Sequence, residues 1–168
     1  QEVAALATTD GFPALLRRVS GYALDAIAGD EPDWPRLIAG SEGTLAVITS
    51  ATLRLVTPPA ERALALVPFP SVDAALEAVP GLLEGDPSAI ELMDAELLDP
   101  ANRAPAERAL LGIVGRAPAM LVVEYAGEQG EARAAAARLP GALVIDDDAG
   151  QAAVWRIRRT SISRALRV

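Results

Sequence analysis

The sequence predicts an α+β fold, a ferredoxin-like antiparallel sheet with helices over residues 59–168, preceded by a separate unit over residues 1–58. Three observations carry this expectation. The segment Thr57-Pro58-Pro59-Ala60-Glu61 divides the chain, because adjacent prolines lack the N–H groups that a sheet ladder needs. Beyond it, apolar runs of strand length alternate with stretches of helical spacing. About three to four strands separated by helices suit an antiparallel sheet with helices packed on one face. Before it, residues 45–56 read as a strand, apolar on both faces at first and then alternating Leu53 and Leu55 against Thr52 and Arg54.

The elements follow in order. Residues up to about Arg18 show helical spacing at Val3, Leu6, Leu15 and Leu16, with Asp10 as an N-cap and Pro13 in a first turn. Asp30–Pro35 is a polar, proline-punctuated loop, and a short helix follows through Leu37 to end at Gly40. After the double proline, Ala63–Phe69 is a strand. Ser71 caps a helix with Val72, Ala75, Leu76 and Val79 on one face, which Pro80-Gly81 should kink or end. Ser88–Met93 is a strand whose following Asp94 can cap a helix. Ala106–Leu111 is helical, and Pro118 closes that segment. Met120–Tyr125 is a strand, Glu128–Leu139 a helix, Ala142–Ile145 a strand, and a helix from about Gly150 finishes the chain with Trp155, Ile162 and Leu166 toward the core.

Composition removes several classes of function. Just over half of the 168 residues are apolar, which provides a core and disfavours disorder. The apolar runs fall far short of the roughly 18–20 residues of a membrane span, so no transmembrane segment is expected. There is no cysteine, hence no disulfide, thiolate metal site or cysteinyl flavin bond within these residues. There is no histidine, which removes the commonest metal ligand and general base, a histidyl flavin link and a Ser-His-Asp triad. The net charge of −8, from 15 basic and 23 acidic residues, argues against a nucleic-acid partner, which needs a basic stripe and stacking platforms. Every basic residue is arginine, a coding bias expected of a GC-rich bacterial genome.

The most informative stretch is Gly40-Ser41-Glu42-Gly43-Thr44, entering Leu45-Ala46-Val47-Ile48-Thr49. Two glycines three apart allow a tight turn whose clustered N–H groups can face an anionic cofactor. The same pattern also serves as a plain turn into a strand. Upstream lies Ser20-Gly21-Tyr22-Ala23-Leu24, and downstream Ala51-Thr52-Leu53-Arg54-Leu55. These segments together resemble the end of the flavin-binding domain of FAD-linked oxidases, in the D-lactate dehydrogenase, glycolate oxidase and D-2-hydroxyglutarate dehydrogenase branch of the vanillyl-alcohol oxidase superfamily. Ala89-Ile90-Glu91-Leu92-Met93-Asp94, Leu121-Val122-Val123-Glu124-Tyr125 and Trp155-Arg156-Ile157-Arg158 resemble landmarks of that family's substrate (cap) domain.

The resemblance implies an interior fragment of a longer enzyme. Residues 1–58 would be the C-terminal part of the FAD-binding domain and residues 59–168 the N-terminal part of the cap domain. The family's glycine-rich pyrophosphate loop would lie upstream and its histidine-containing segment downstream. The implied cofactor is FAD, contacted by main-chain groups of Gly40, Ser41, Glu42, Gly43 and Thr44, the backbone at Ile48, and Gly21 and Tyr22. Like charge keeps the Glu42 carboxylate off a phosphate; it can accept backbone or ribose hydrogen bonds or orient the loop. For Gly21-Tyr22 the other reading is a loop whose tyrosine packs under the sheet. Ala46 stands where the family commonly has glycine, which narrows a close approach there.

In hydroxy-acid members of the family the arginine of the Trp-x-x-Arg pattern binds the substrate carboxylate. Here that is Arg158, whose planar guanidinium suits a two-point grip; the other reading is an arginine of an amphipathic surface helix. Asp146–Asp148 read as a solvated turn, since adjacent residues do not converge on a cation. No catalytic general base and no metal ligand set is expected in these residues. The implied activity of the intact protein is oxidation of a 2-hydroxy acid such as D-lactate, glycolate or 2-hydroxyglutarate by hydride transfer to flavin. The partners would be that small substrate and the rest of the parent chain. The expected location is cytoplasmic, with peripheral attachment to the inner membrane open to other parts of the parent. The isolated fragment would be inactive. A contrasting reading makes residues 60–168 a free-standing ferredoxin-like binding or regulatory module without catalysis. A third makes the chain part of a degenerate, non-catalytic homologue.

Overall fold

The computed structural model describes residues 21–28, 30–101, 103–115 and 117–159. The expected opening helix with Asp10 and Pro13, together with Ser20, Ile162 and Leu166, lies outside these residues. The chain divides into two compact units, residues 1–55 and 56–168.

In the first unit a 3-10 turn at Leu24–Ile27 precedes helix α1, Trp34–Ala39. Asp33 caps α1 by accepting the Arg36 N–H at 3.1 Å, and Pro35 occupies the first turn, where its missing N–H costs nothing. The Asp33 N–H donates to the Ala26 carbonyl at 2.7 Å, and Arg36 pairs with Asp25 at 3.0 Å. These bonds hold the 3-10 turn beside α1, with Ala26 and Leu37 buried. As expected, the helix ends at Gly40.

The strand expected over residues 45–56 is not formed. Residues 46–59 carry neither helix nor strand, and Val47, Leu53, Leu55 and Val56 are exposed. A strand is stabilised by neighbours across its ladder, and no strand exists among the described residues of this unit to pair with it. Hydrophobic alternation marks faces; it cannot supply a partner.

The second unit is built on strands β1 Glu61–Phe69, β2 Ala89–Asp94, β3 Ala119–Gly127 and β4 Leu143–Ile145, in the spatial order β2-β3-β1-β4. All neighbouring pairs are antiparallel. The helices are α2 Val72–Leu83, α3 Pro105–Val114, α4 Glu131–Ala137 and α5 Asp148–Arg159. Read as β1-α2-β2-β3-α4-β4, with α3 inserted between β2 and β3 and α5 appended, this is the ferredoxin-like arrangement. The long β1–β3 ladder sets Glu61 opposite Gly127 and Phe69 opposite Ala119.

The helices cover both faces of the sheet, not one. Ala63, Ala65, Val67, Leu121, Val123 and Tyr125 pack with Ala75 of α2 and with Ala132 and Ala136 of α4. On the opposite face Leu64, Leu66, Met93, Met120 and Val122 pack with Leu110 and Leu111 of α3 and with Ala153, Val154 and Ile157 of α5. The central strands therefore bury consecutive residues, Ala63–Val67 and Ala119–Val123. Each fully buried leucine or valine contributes about 1.5–3 kcal/mol relative to exposure.

Local signals set most boundaries. The Ser71 hydroxyl accepts the Ala74 N–H at 3.1 Å and starts α2 as expected. Pro80 does not end that helix, which continues to Leu83; proline removes one bond to the preceding turn, and so near a helix end that loss is tolerated. Asp94 caps a turn rather than a helix, accepting the Leu97 N–H at 3.0 Å. Helix α4 is shorter than expected because Gly130 takes a left-handed φ of 88° just before it. On α5 the buried stripe is Ala153, Val154 and Ile157, while Trp155 is partly buried at its margin.

Candidate functional site

The two sequence-predicted cofactor segments meet within the first unit. Gly40 closes α1, and a Cβ placed on it would lie 3.8 Å from the Gly21 carbonyl oxygen. The Tyr22 hydroxyl lies 2.7 Å from Thr44 Oγ1, and Thr44 Oγ1 donates to the Ser41 carbonyl at 2.5 Å. The Thr44 N–H donates to the same carbonyl at 3.0 Å, while the Ser41 N–H donates to the Ile38 carbonyl at 3.0 Å. Ser41 is buried, and Tyr22 is 41% exposed rather than packed under a sheet.

The apex of the turn, Glu42-Gly43, is exposed. Glu42 and Gly43 have φ of 51° and 76°, both left-handed. Such a conformation strains glutamate and suits glycine. Among the described residues, the N–H groups of Glu42 and Gly43 donate to no other group. A Cβ on Gly43 would meet nothing within 4 Å. The apex therefore offers consecutive N–H groups at an open surface, the arrangement that receives an anion. The Glu42 side chain is exposed, and Ile48, farther along, is 65% exposed. These residues fit a diphosphate-bearing cofactor by their donors, and the surrounding hydroxyls serve to brace the turn.

Arg158 stands on α5 in the second unit, one residue past buried Ile157. Its Nε donates to Oε2 of Glu91 on β2 at 2.7 Å, with 35% of each side chain exposed. Neighbouring Arg156 reaches Glu107 of α3 at 3.5 Å. The three aspartates do not converge: Asp146 pairs with Arg133 at 3.0 Å and Asp147 accepts the Gly150 N–H at 2.8 Å, capping α5. Among the described residues no cluster of three acidic side chains could hold a metal ion. Among those residues, too, no helix is long and apolar enough to cross a membrane.

Residues 58–168 match the family described as FAD linked oxidases, C-terminal domain. The chain belongs to that family. Among its relatives, D-2-hydroxyglutarate dehydrogenase of Escherichia coli is 33% identical over 127 residues, 71% of this chain and 12% of that protein. D-lactate dehydrogenase of Archaeoglobus fulgidus is 34% identical over 97 residues, 57% of this chain and 22% of that protein. Glycolate oxidase subunit GlcD of Bacillus subtilis is 30% identical over 112 residues, 66% of this chain and 23% of that protein. The chain thus spans less than a quarter of the length of each of these relatives.

Within this FAD-linked oxidase C-terminal domain, sequence reasoning missed the carboxylates that meet the α5 arginines. Glu91 is 67 residues from Arg158, and no local spacing joins them. Buried Arg103 was missed too. Its Nη2 donates to the Leu97 carbonyl at 2.6 Å and ties down the loop between β2 and α3. The available signal is indirect: the segments holding Glu91 and Arg158 both carry the family resemblance, and the structure brings them into contact.

Proposed function

We propose that this chain is part of a longer FAD-dependent oxidoreductase that oxidises a 2-hydroxy acid of the D-lactate, glycolate or 2-hydroxyglutarate type. In this reading residues 1–58 are the C-terminal part of an FAD-binding domain and residues 59–168 the N-terminal part of the cap domain. The observation that carries it is family membership over residues 58–168, with relatives whose names all specify a hydroxy-acid dehydrogenase or glycolate oxidase. When bound, the flavin supplies the hydride acceptor.

The residues of this chain bind and orient. The N–H groups of Glu42 and Gly43 receive the anionic part of the cofactor, in a turn braced by Tyr22, Ser41 and Thr44; Gly21, Gly40 and the backbone at Ile48 complete that wall. Arg158 binds the substrate carboxylate by charge-assisted hydrogen bonds. In this reading no general base is assigned among the described residues, and it lies in the rest of the parent chain. The isolated chain is inactive and does not retain FAD, because one wall cannot preorganise contacts along the whole cofactor.

The test is anaerobic titration of the flavin in the parent enzyme with D-lactate, glycolate and D-2-hydroxyglutarate. Bleaching of the oxidised flavin band by at least one of them is expected. A parent protein that binds no flavin, or whose flavin none of them reduces, would reject the proposal.

A further inference from the structure

We propose that Glu91 is a positioning residue that holds the Arg158 guanidinium in the plane needed to grip a substrate carboxylate; this rests on the reading of Arg158 given under Proposed function. The observation is the contact of Arg158 Nε with Glu91 Oε2 at 2.7 Å, which joins β2 to α5 across 67 residues of sequence.

An arginine side chain has many rotamers, but its donors form a rigid planar fork. Fixing Nε against a carboxylate fixes the plane and direction of the whole fork. A two-point grip on a second carboxylate depends on that plane. Glu91 is itself anchored by the sheet, its Cα paired in register with Val122 of β3. The contact is part-buried, with 35% of each side chain exposed, so the pair lies at the surface of this unit. Glu91 cannot bind an anionic substrate itself, since like charges repel.

The contrasting role would be a tie that merely fastens α5 to the sheet. That helix is already held by buried Ala153, Val154 and Ile157 and by the Arg156–Glu107 pair at 3.5 Å. Glu91 is therefore not the sole anchor of that helix, and its geometric effect falls on Arg158.

The experiment is a double-mutant cycle in the parent enzyme, with KM and kcat for the hydroxy acid and the melting temperature measured for each variant. Glu91→Gln keeps the shape and loses the charge; it should raise KM about five- to tenfold, with kcat within about twofold and little change in melting temperature. Glu91→Asp restores the charge and should return part of the loss. Should the glutamine variant fail to fold, Glu91→Asp carries the same comparison through a smaller KM rise. In an Arg158→Ala background, Glu91→Gln should change KM no further. Additive effects, or a KM raised by Arg158→Ala but untouched by either Glu91 variant, would overturn the positioning role while leaving Arg158 as the ligand. A KM unchanged by Arg158→Ala would instead remove the reading on which the proposal rests, and the proposal with it.

Discussion

The Tyr22 hydroxyl and Thr44 Oγ1 lie 2.7 Å apart and bridge 22 residues of sequence. Because Thr44 also donates to the Ser41 carbonyl, one hydroxyl pair closes the base of the turn whose apex is Glu42-Gly43. In the proposed function the pair acts on cofactor binding indirectly, by shaping the main chain.

Replacing Tyr22 with Phe should therefore weaken FAD retention by the parent enzyme without altering any cofactor-facing donor. A hydrogen bond of this kind contributes about 0.5–1.5 kcal/mol, a two- to tenfold loss of affinity. Thr44→Val, which removes both side-chain bonds, should cost at least as much. Fluorescence of released FAD measures this. Equal dissociation constants for wild type and both variants would show that the turn holds its shape unaided.

Two glycine replacements should act in opposite directions. Gly43 has a φ of 76° with open space beside it, so Gly43→Ala meets no clash and suffers only from backbone strain, about 1–2 kcal/mol. Gly81 lies inside α2, and a Cβ added there would meet nothing within 4 Å. Gly81→Ala should stabilise the second unit by about 0.5–1 kcal/mol, through reduced freedom of the unfolded chain and better helix propensity. Chemical denaturation of the two variants checks both signs.

Much of the second unit is legible in the sequence, since its signals are local. The Ser71 cap, the apolar runs of the strands and the turn at Asp146–Asp148 depend on residues a few positions apart. Coverage of both sheet faces is written there too, against the expectation of helices on one face. Ala63–Val67 and Ala119–Val123 are unbroken apolar runs, which is what a strand buried on both sides requires. By contrast, residues 45–56 have the composition of a strand and no partner, so their periodicity could not yield one. The Glu91–Arg158 and Tyr22–Thr44 contacts are products of tertiary folding. Sequence marks each segment but gives no sign of which side chains touch.

Burial raises the Tyr125 phenol above its ordinary value of 10.0. The folded chain then holds this proton more tightly than the unfolded chain. The associated stability is complete below pH about 10 and is lost as pH rises from there through the folded pKa. Denaturation midpoints should fall across that alkaline window. Tyr125→Phe should flatten that part of the profile, and an unchanged slope would assign the loss to other groups.

Truncating Leu66, which is 1% exposed in the α3/α5 layer, to Ala should destabilise the second unit by about 2–5 kcal/mol. Ser71→Ala, which removes only a helix cap, should cost about 1 kcal/mol. Urea denaturation should rank the two in that order, and the reverse ranking would mean that the core on this face repacks around the lost volume.

The central claim is that Arg158 recognises a substrate by its carboxylate, and the most direct measurement compares kcat/KM for a 2-hydroxy acid with that for its neutral 2-hydroxy amide. The parent enzyme should favour the acid. Arg158→Lys keeps the charge but loses the two-point grip, and Arg158→Ala loses both. A charge-assisted contact of about 1.5–3 kcal/mol corresponds to a ten- to hundredfold fall in kcat/KM for the acid. The amide should be nearly unaffected, so the preference collapses in Arg158→Ala and partly survives in Arg158→Lys. An acid-over-amide preference that persists undiminished in Arg158→Ala would contradict the account and leave Arg158 as a surface arginine paired with Glu91.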